Sequence, residues 1–469
     1  MELSSETPVH TCFDGRIRRS TDCRTARRSQ SQPDKEEPKM DHTLKQQLET
    51  CFFRGGDPAD CYGAIPIMEE HLNEIDFYDD DDLEAIVDIA LRSLRTENAD
   101  TKFIEYLISK GFDINTKLLK KDCLILKAVD NWVSPALIEK LVSLGADIYS
   151  ETSDGDNVLL LAAKKEYKDS DYAPENEEES LSGDGSSAGT ERETAVYLAT
   201  HYDLSLLDKT DRFGISPLMY AAMLNHMRLT HAMIENGADV NVQGTSPVGG
   251  NSYWLKMDGV TPLALACRHG NVEITKMLLE AGADETLCDA KGNPPIFSLI
   301  RYPFRFFQQR QFNHPIFDRK CKILSMLKEY ELTDSAGYTV LLRSLTDSRD
   351  TFDKADAYDN LPITLKLIEC GANIEAAGND GRRALHLAVL AIGDADKALI
   401  KAGAELNIQD NDGNTPLLLA CRHSGEKTVR YLIRSGADAS IQNNKGETAM
   451  DIAAERGFSD AIEMMMDNG

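Results

Sequence analysis

Residues that could do chemistry are scattered along this 469-residue chain rather than gathered. The run Asp410-Asn411-Asp412-Gly413 resembles the opening of a calcium loop, but the later glutamate that would complete the ligand set is missing. The same residues are those of a tight turn, which is the reading preferred here. The ten cysteines include no Cys-x-x-Cys pair and no zinc-site spacing, so reduced thiols are expected. Cys267 and Cys421 recur in equivalent stretches, Leu265-Ala266-Cys267-Arg268-His269 and Leu419-Ala420-Cys421-Arg422-His423, where a small buried side chain is wanted. Apart from one histidine discussed below, the histidines do not cluster with carboxylates. No P-loop, dinucleotide glycine signature, His-Glu-x-x-His helix or Gly-x-Ser-x-Gly elbow occurs. The run Asp79-Asp80-Asp81-Asp82 precedes Leu83-Glu84-Ala85-Ile86 and reads as acid favoured at a helix start. No catalytic residue, cofactor or metal is therefore assigned.

Composition narrows the class further. The formal net charge is -27, 42% of residues are hydrophobic and 7% aromatic, which describes an acidic folded protein. No apolar run approaches the roughly 18–20 residues of a membrane-spanning helix, so membrane insertion is not expected. The N-terminus has no apolar h-region and no secretory signal is expected; a cytoplasmic or nuclear location follows. Arg16 to Arg28 holds six arginines and one acid, Asp22. Residues 1–39 carry a net charge of +1, which leaves -28 on residues 40–469. A body so charged repels phosphate backbones and disfavours nucleic acid as a partner.

The elements that would position any site repeat along the chain. In Asn411-Asp412-Gly413-Asn414-Thr415-Pro416-Leu417-Leu418-Leu419-Ala420, Thr415 can cap a helix and Pro416 suits its first position. Leu417 and Ala420 share a face, leucine filling a core and alanine admitting a close neighbour. Ser435-Gly436-Ala437-Asp438 then ends a second helix with a glycine suited to positive φ. The Thr-equivalent recurs at Cys123, Asn157, Ser216, Thr261, Pro294, Thr339, Arg383, Thr415 and Thr448, the copies at Cys123 and Pro294 being degenerate. The glycine recurs at Gly111, Gly145, Gly237, Gly282, Gly371, Gly403 and Gly436; Tyr202-Asp203 and Tyr330-Glu331 replace it in two units.

These residues resemble the ankyrin repeat, a unit of roughly 33 residues with the pattern T-P-L-H-x-A. The resemblance implies an all-α fold: an ankyrin-repeat solenoid of about ten stacked helix pairs with β-turn fingers. It also places His386 at the motif's histidine position, where a buried hydrogen bond between neighbouring units is expected. The expected organisation is an Arg-rich, disordered extension over 1–39, a helical N-terminal cap over 40–82, and the array over 83–469. Met40 stands as an alternative start. The array should close on a last helix, Phe458 to Met466, whose methionines act as its cap or, as the alternative, dock onto another surface.

Successive Thr-equivalents lie 34, 59, 45, 33, 45, 44, 32 and 33 residues apart. Four intervals thus carry insertions, at 166–193, 242–258, 302–318 and 347–359, which must be extruded as loops. The first is acidic and Gly/Ser-rich, with no strand before its glycines, and reads as a solvated spacer, the alternative being an acidic lure for a basic partner. The second falls where the family has its finger and holds Tyr253 and Trp254. Aromatic residues of this kind carry binding hot spots, so Tyr253, Trp254 and Leu255, with Arg212 and Phe213 of the preceding finger, are the expected partner-binding residues. The alternative is that Trp254 folds back onto its own repeat. The third insertion is aromatic and basic and is expected to pack on its neighbours, a second partner site being the alternative.

The function expected from the resemblance is a non-catalytic protein-protein interaction scaffold, holding a protein partner of basic or mixed charge on its concave surface and fingers. An inhibitor or regulator masking a basic face of its partner is the alternative, and an enzyme with an unrecognised site the third reading.

Overall fold

The computed structural model describes residues 70, 86–87, 101–117, 122–130, 134–169, 188–245, 258–301, 315–346, 360–391 and 394–468. The expected extension over 1–39, nearly all of the expected cap over 40–82, and the acid run at 79–82 lie outside them. The described elements are helices, with one isolated β-bridge between Thr333 and Thr339. No helix among the described residues is long and apolar enough to cross a membrane.

A regular unit is a first helix, a short link and an antiparallel second helix; in three units the link carries an insertion. The clearest pairs are Pro217–Leu224 with Met227–Glu235, Pro262–His269 with Val272–Glu280, and Pro416–His423 with Glu426–Arg434. Helices of eight or nine residues are too short to persist alone in water. Their starts are set by side chains: the Thr261 hydroxyl accepts the Ala264 N–H at 3.2 Å, Ser216 accepts Met219 at 3.2 Å, and Thr415 accepts Leu418 at 3.3 Å. The link after Pro262–His269 turns on Gly270 at φ 72°, a left-handed residue that lets Asn271 N–H reach back to the Ala266 carbonyl at 3.0 Å.

Stability comes from stacking like helices on like. Leu218, Leu263 and Leu417, the second residues of their first helices, are buried, as are Ala221, Ala266 and Ala420 three residues on. Each buried leucine contributes about 2 kcal/mol, and each alanine allows the adjoining unit to approach. Cys267 and Cys421 are fully buried among them, as expected, and burial pushes both thiols up to about 12. The last described helix is Ser459–Asn468, where Met465 is buried and Met466 points outward at 66% exposure.

The unit at Pro294 departs from the pattern. Its first helix is the 3₁₀ segment Pro295–Ile300, and its second helix, Pro315–Leu324, begins inside the span expected as an insertion. Lys320, from that second helix, is buried, and its ammonium donates to the carbonyls of Leu299 at 2.9 Å and Arg301 at 2.5 Å. A lysine thus satisfies the carbonyls at the end of a helix that has no regular cap. The expected first insertion is likewise trimmed by helix at both ends, since Val158–Asp169 and Ala188–His201 run into it.

Candidate protein-interaction surface

The fingers are closed by one device used repeatedly. In the turn at 410–414 the Asp410 carboxylate accepts the N–H groups of Asp412 at 3.0 Å and Asn414 at 2.8 Å, and Gly413 N–H bonds the Asp410 carbonyl at 2.9 Å. Its carboxylate is committed to a turn, the reading preferred from its residues, and no group of three or more His, Cys, Asp or Glu that could hold a metal occurs among the described residues. Asp211, Asp289 and Asp334 close their fingers in the same way. Neighbouring fingers are joined by backbone bonds, from Asn379 N–H to Ala336 at 3.1 Å, Asn411 to Asp380 at 3.1 Å and Asn444 to Asp412 at 3.1 Å. The asparagine side chains add a second track, Asn411 to the Asn379 carbonyl at 2.9 Å and Asn444 to that of Asn411 at 3.0 Å.

Cations from the first helices reach across to these turn carboxylates. Lys164 lies 2.9 Å from Asp156 and 3.2 Å from Asp211, which also accepts the Tyr220 hydroxyl at 3.0 Å. Arg301 pairs with Asp289 at 3.3 Å, Arg343 Nε donates to Asp334 at 2.8 Å, and Arg422 pairs with Glu447. One carboxylate oxygen shapes the finger and the other holds it against the helix. The angle between finger and first helix is fixed by charge-assisted bonds.

Between the fingers at 334–338 and 378–382 and the neighbouring first helices lies a cleft of about 450 Å³. Leu345, Leu387 and Leu390 line its apolar side, and Tyr338, Arg343, Asp380 and Arg382 its polar side. The Tyr338 ring lies over Gly378, where any Cβ would fall on it. Its hydroxyl donates to Asp380 at 2.6 Å, and the Arg343 guanidinium stacks 4.8 Å from its centroid. Burial, with the Asp380 carboxylate second, pushes the Tyr338 hydroxyl up to about 12, so it stays a donor.

Of the residues expected to bind a partner, Tyr253, Trp254 and Leu255 lie outside the described residues. The finger that carries them is described at its base, where Gly244 N–H bonds the Val260 carbonyl at 2.9 Å and Gly259 N–H that of Gly244 at 2.8 Å. Arg212 is exposed, lies 3.3 Å from Asp154 of the preceding finger and stacks 4.8 Å from the half-buried ring of Phe213. The structure therefore brings Arg212 and Phe213 together on one finger. Sequence reasoning missed the cleft of Tyr338, Arg343 and Arg382. Basic residues recur seven positions after the Thr-equivalent at Lys164, Arg268, Arg301 and Arg422, but Arg343 stands four after Thr339 and Arg382 one before Arg383, so that regularity does not reach the cleft.

A family model described as "Ankyrin repeats (3 copies)" matches residues 186–289 and 391–469. Rabankyrin-5 of Mus musculus is 30% identical over 204 residues, 43% of this chain and 16% of that protein. Inversin of Homo sapiens is 27% identical over 224 residues, 46% of this chain and 18% of that protein. The chain thus spans less than a fifth of the length of either relative. Among solved structures, the ankyrin repeat domain of Bcl-3 aligns at a TM-score of 0.40 and 21% identity, over 53% of this chain and 99% of that one. Ankyrin repeats generally mediate protein-protein interaction. The family match falls on units built of the capped helix pairs and turn-closed fingers just described, and over 186–289 and 391–469 the chain carries ankyrin repeats.

Proposed function

We propose that this protein is a non-catalytic scaffold that binds a protein partner along its fingers and first helices, with the cleft at Tyr338 and Leu390 as the central contact. The observation that carries this reading is the cleft's composition. Three leucines offer an apolar floor, while a tyrosine and two arginines, held by the carboxylates of Asp334, Asp380 and Asp410, frame it. Tyrosine and arginine dominate binding hot spots because they combine stiff area with hydrogen-bonding capacity. Pre-ordering by ion pairs lowers the cost of fixing those side chains on binding. The net charge of -27 favours a partner of basic or mixed charge, whose association slows as salt rises.

The test is capture with the full chain, followed by identification of the captured proteins and titration of the strongest binder. Leu390→Arg places a charge on the half-buried apolar side of the cleft. It is expected to weaken that binder by about tenfold or more while leaving the melting temperature within a few degrees. Unchanged affinity would remove the cleft from the binding surface.

A further inference from the structure

A second ladder joins the units at the corners where each second helix gives way to its finger. There, a side chain of one unit accepts a backbone N–H of the next. Asn115 accepts Asp147 at 2.8 Å, Asn241 accepts Asp284 at 2.8 Å, Glu375 accepts Glu405 at 2.8 Å and Asn407 accepts Asp438 at 2.9 Å. Asp208, Glu285 and Glu331 supply the same bond at other corners. These acceptors are short amides and carboxylates, and each is spent on the backbone.

The corner at Tyr149 breaks this rule. Tyr149 stands four residues after Gly145, where Asn115, Asn241 and Asn407 follow their own glycines. It lacks the amide or carboxylate oxygen with which its equivalents accept a backbone N–H. Its hydroxyl instead donates to the Asp203 carboxylate at 3.0 Å, and Asp203 belongs to a unit that has lost its helix-ending glycine. Both departures from the repeat therefore meet in one bond. The ring that results is 48% exposed, one of two large hydrophobic side chains so exposed among the described residues. Beside it Tyr202 sits edge-on to Tyr197, with centroids 6.2 Å apart, and Tyr197 stacks on His201 at 4.1 Å. The carboxylates of Asp147 and Asp203 are both exposed at this corner. Asp203 accepts the Ser205 hydroxyl and the Ser205 N–H, the latter at 2.9 Å, as well as the tyrosine, bonds that hold it ionised and in place.

We propose that this corner is a docking surface for an arginine-bearing segment of a partner protein, the guanidinium lying on the Tyr149 ring and pairing with Asp203 and Asp147. A guanidinium has the required chemistry: a flat, weakly hydrated cation that stacks on an aromatic face and offers donors at its edge to carboxylates. The bond from Tyr149 to Asp203 sets ring and carboxylate side by side before the ligand arrives. An apolar segment would leave both carboxylates to be desolvated without a partner, and an acidic one would be repelled. This surface shares with the cleft reading only the premise that the array binds protein, and none of its residues lines the cleft.

The test uses the full chain and two probes, acetyl-hexa-arginine amide and acetyl-hexaglutamate amide, titrated calorimetrically at about 0.15 M salt. Tyr149→Asn installs the residue found at the equivalent corners and is expected to fold normally, which circular dichroism and the melting temperature check. The arginine peptide is expected to bind the native chain, with affinity falling about fivefold in Tyr149→Asn and again in Asp203→Asn, while the glutamate peptide does not bind. Leu390→Arg should leave this binding intact, which separates the corner from the cleft. Equal binding by the native chain and Tyr149→Asn would mean general attraction to an acidic protein and would overturn the proposal. So would absence of arginine-peptide binding to the native chain.

Discussion

His386 Nε2 lies 3.1 Å from the carbonyl oxygen of Asn414 in the next unit, and both residues are buried. The other ring nitrogen, Nδ1, accepts the Arg383 N–H at 3.2 Å, so the proton sits on Nε2 and the ring donates from a neutral state. This is the inter-unit bond expected at the histidine of the repeat pattern. It ties the start of one first helix to the finger that precedes the next.

The bond makes stability depend on pH. Burial holds the His386 imidazolium below its usual value near 6.5. A depressed histidine binds its proton more readily when the chain is unfolded, so its contribution is full above about pH 6.5 and is lost as pH falls through the folded value. His386→Gln should cost about 1 kcal/mol at pH 7.5, and the gap to the native chain should narrow towards pH 5. Thermal melts of both proteins across that range measure it; a constant gap would show that the ring does not titrate with folding.

Lys320 is expected to matter more than its place in an irregular unit suggests. Its ammonium is the donor for the carbonyls of Leu299 and Arg301 at the end of the 3₁₀ segment. Lys320→Met keeps the buried stem and removes the donor, and should cost about 2–3 kcal/mol. Urea unfolding followed by far-ultraviolet circular dichroism would read the loss.

Gly378 has a different sensitivity. A methyl group there would land on the Tyr338 ring, so Gly378→Ala must push the ring off Asp380 and open the cleft. Overpacking of this kind typically costs about 1–3 kcal/mol. Loss of partner affinity alongside the loss of stability, with Tyr338→Phe losing affinity alone, would separate the ring's position from the role of its hydroxyl.

The thiols should divide sharply by environment. Cys267 and Cys421 are fully buried with thiols pushed up to about 12, whereas Cys288 is exposed. Maleimide labelling of the native chain, mapped by peptide mass spectrometry, should modify Cys288 about a hundredfold faster than the buried pair. Comparable rates would mean that the stack opens far more readily than its packing implies.

Much of this protein could be read from one dimension because each unit contacts chiefly its sequence neighbours. Thr415-Pro416-Leu417 specifies a cap, a helix start and a buried contact within a few residues, and the stretch at Thr261 repeats the instruction. Cys267, Cys421 and His386 were legible for the same reason, since a position in the repeat is also a position in the stack. Tyr338 and Asp380, 42 residues apart, meet only because adjoining fingers come into register, and Tyr149 meets Asp203 across 54 residues that include an insertion. No local pattern encodes such meetings. The residues alone determined the repeat, its caps and its buried faces, because those follow from short-range helix physics. Only the stacked structure decided which side chains of successive units share a cleft or a corner, because that depends on the rise and rotation accumulated from one unit to the next.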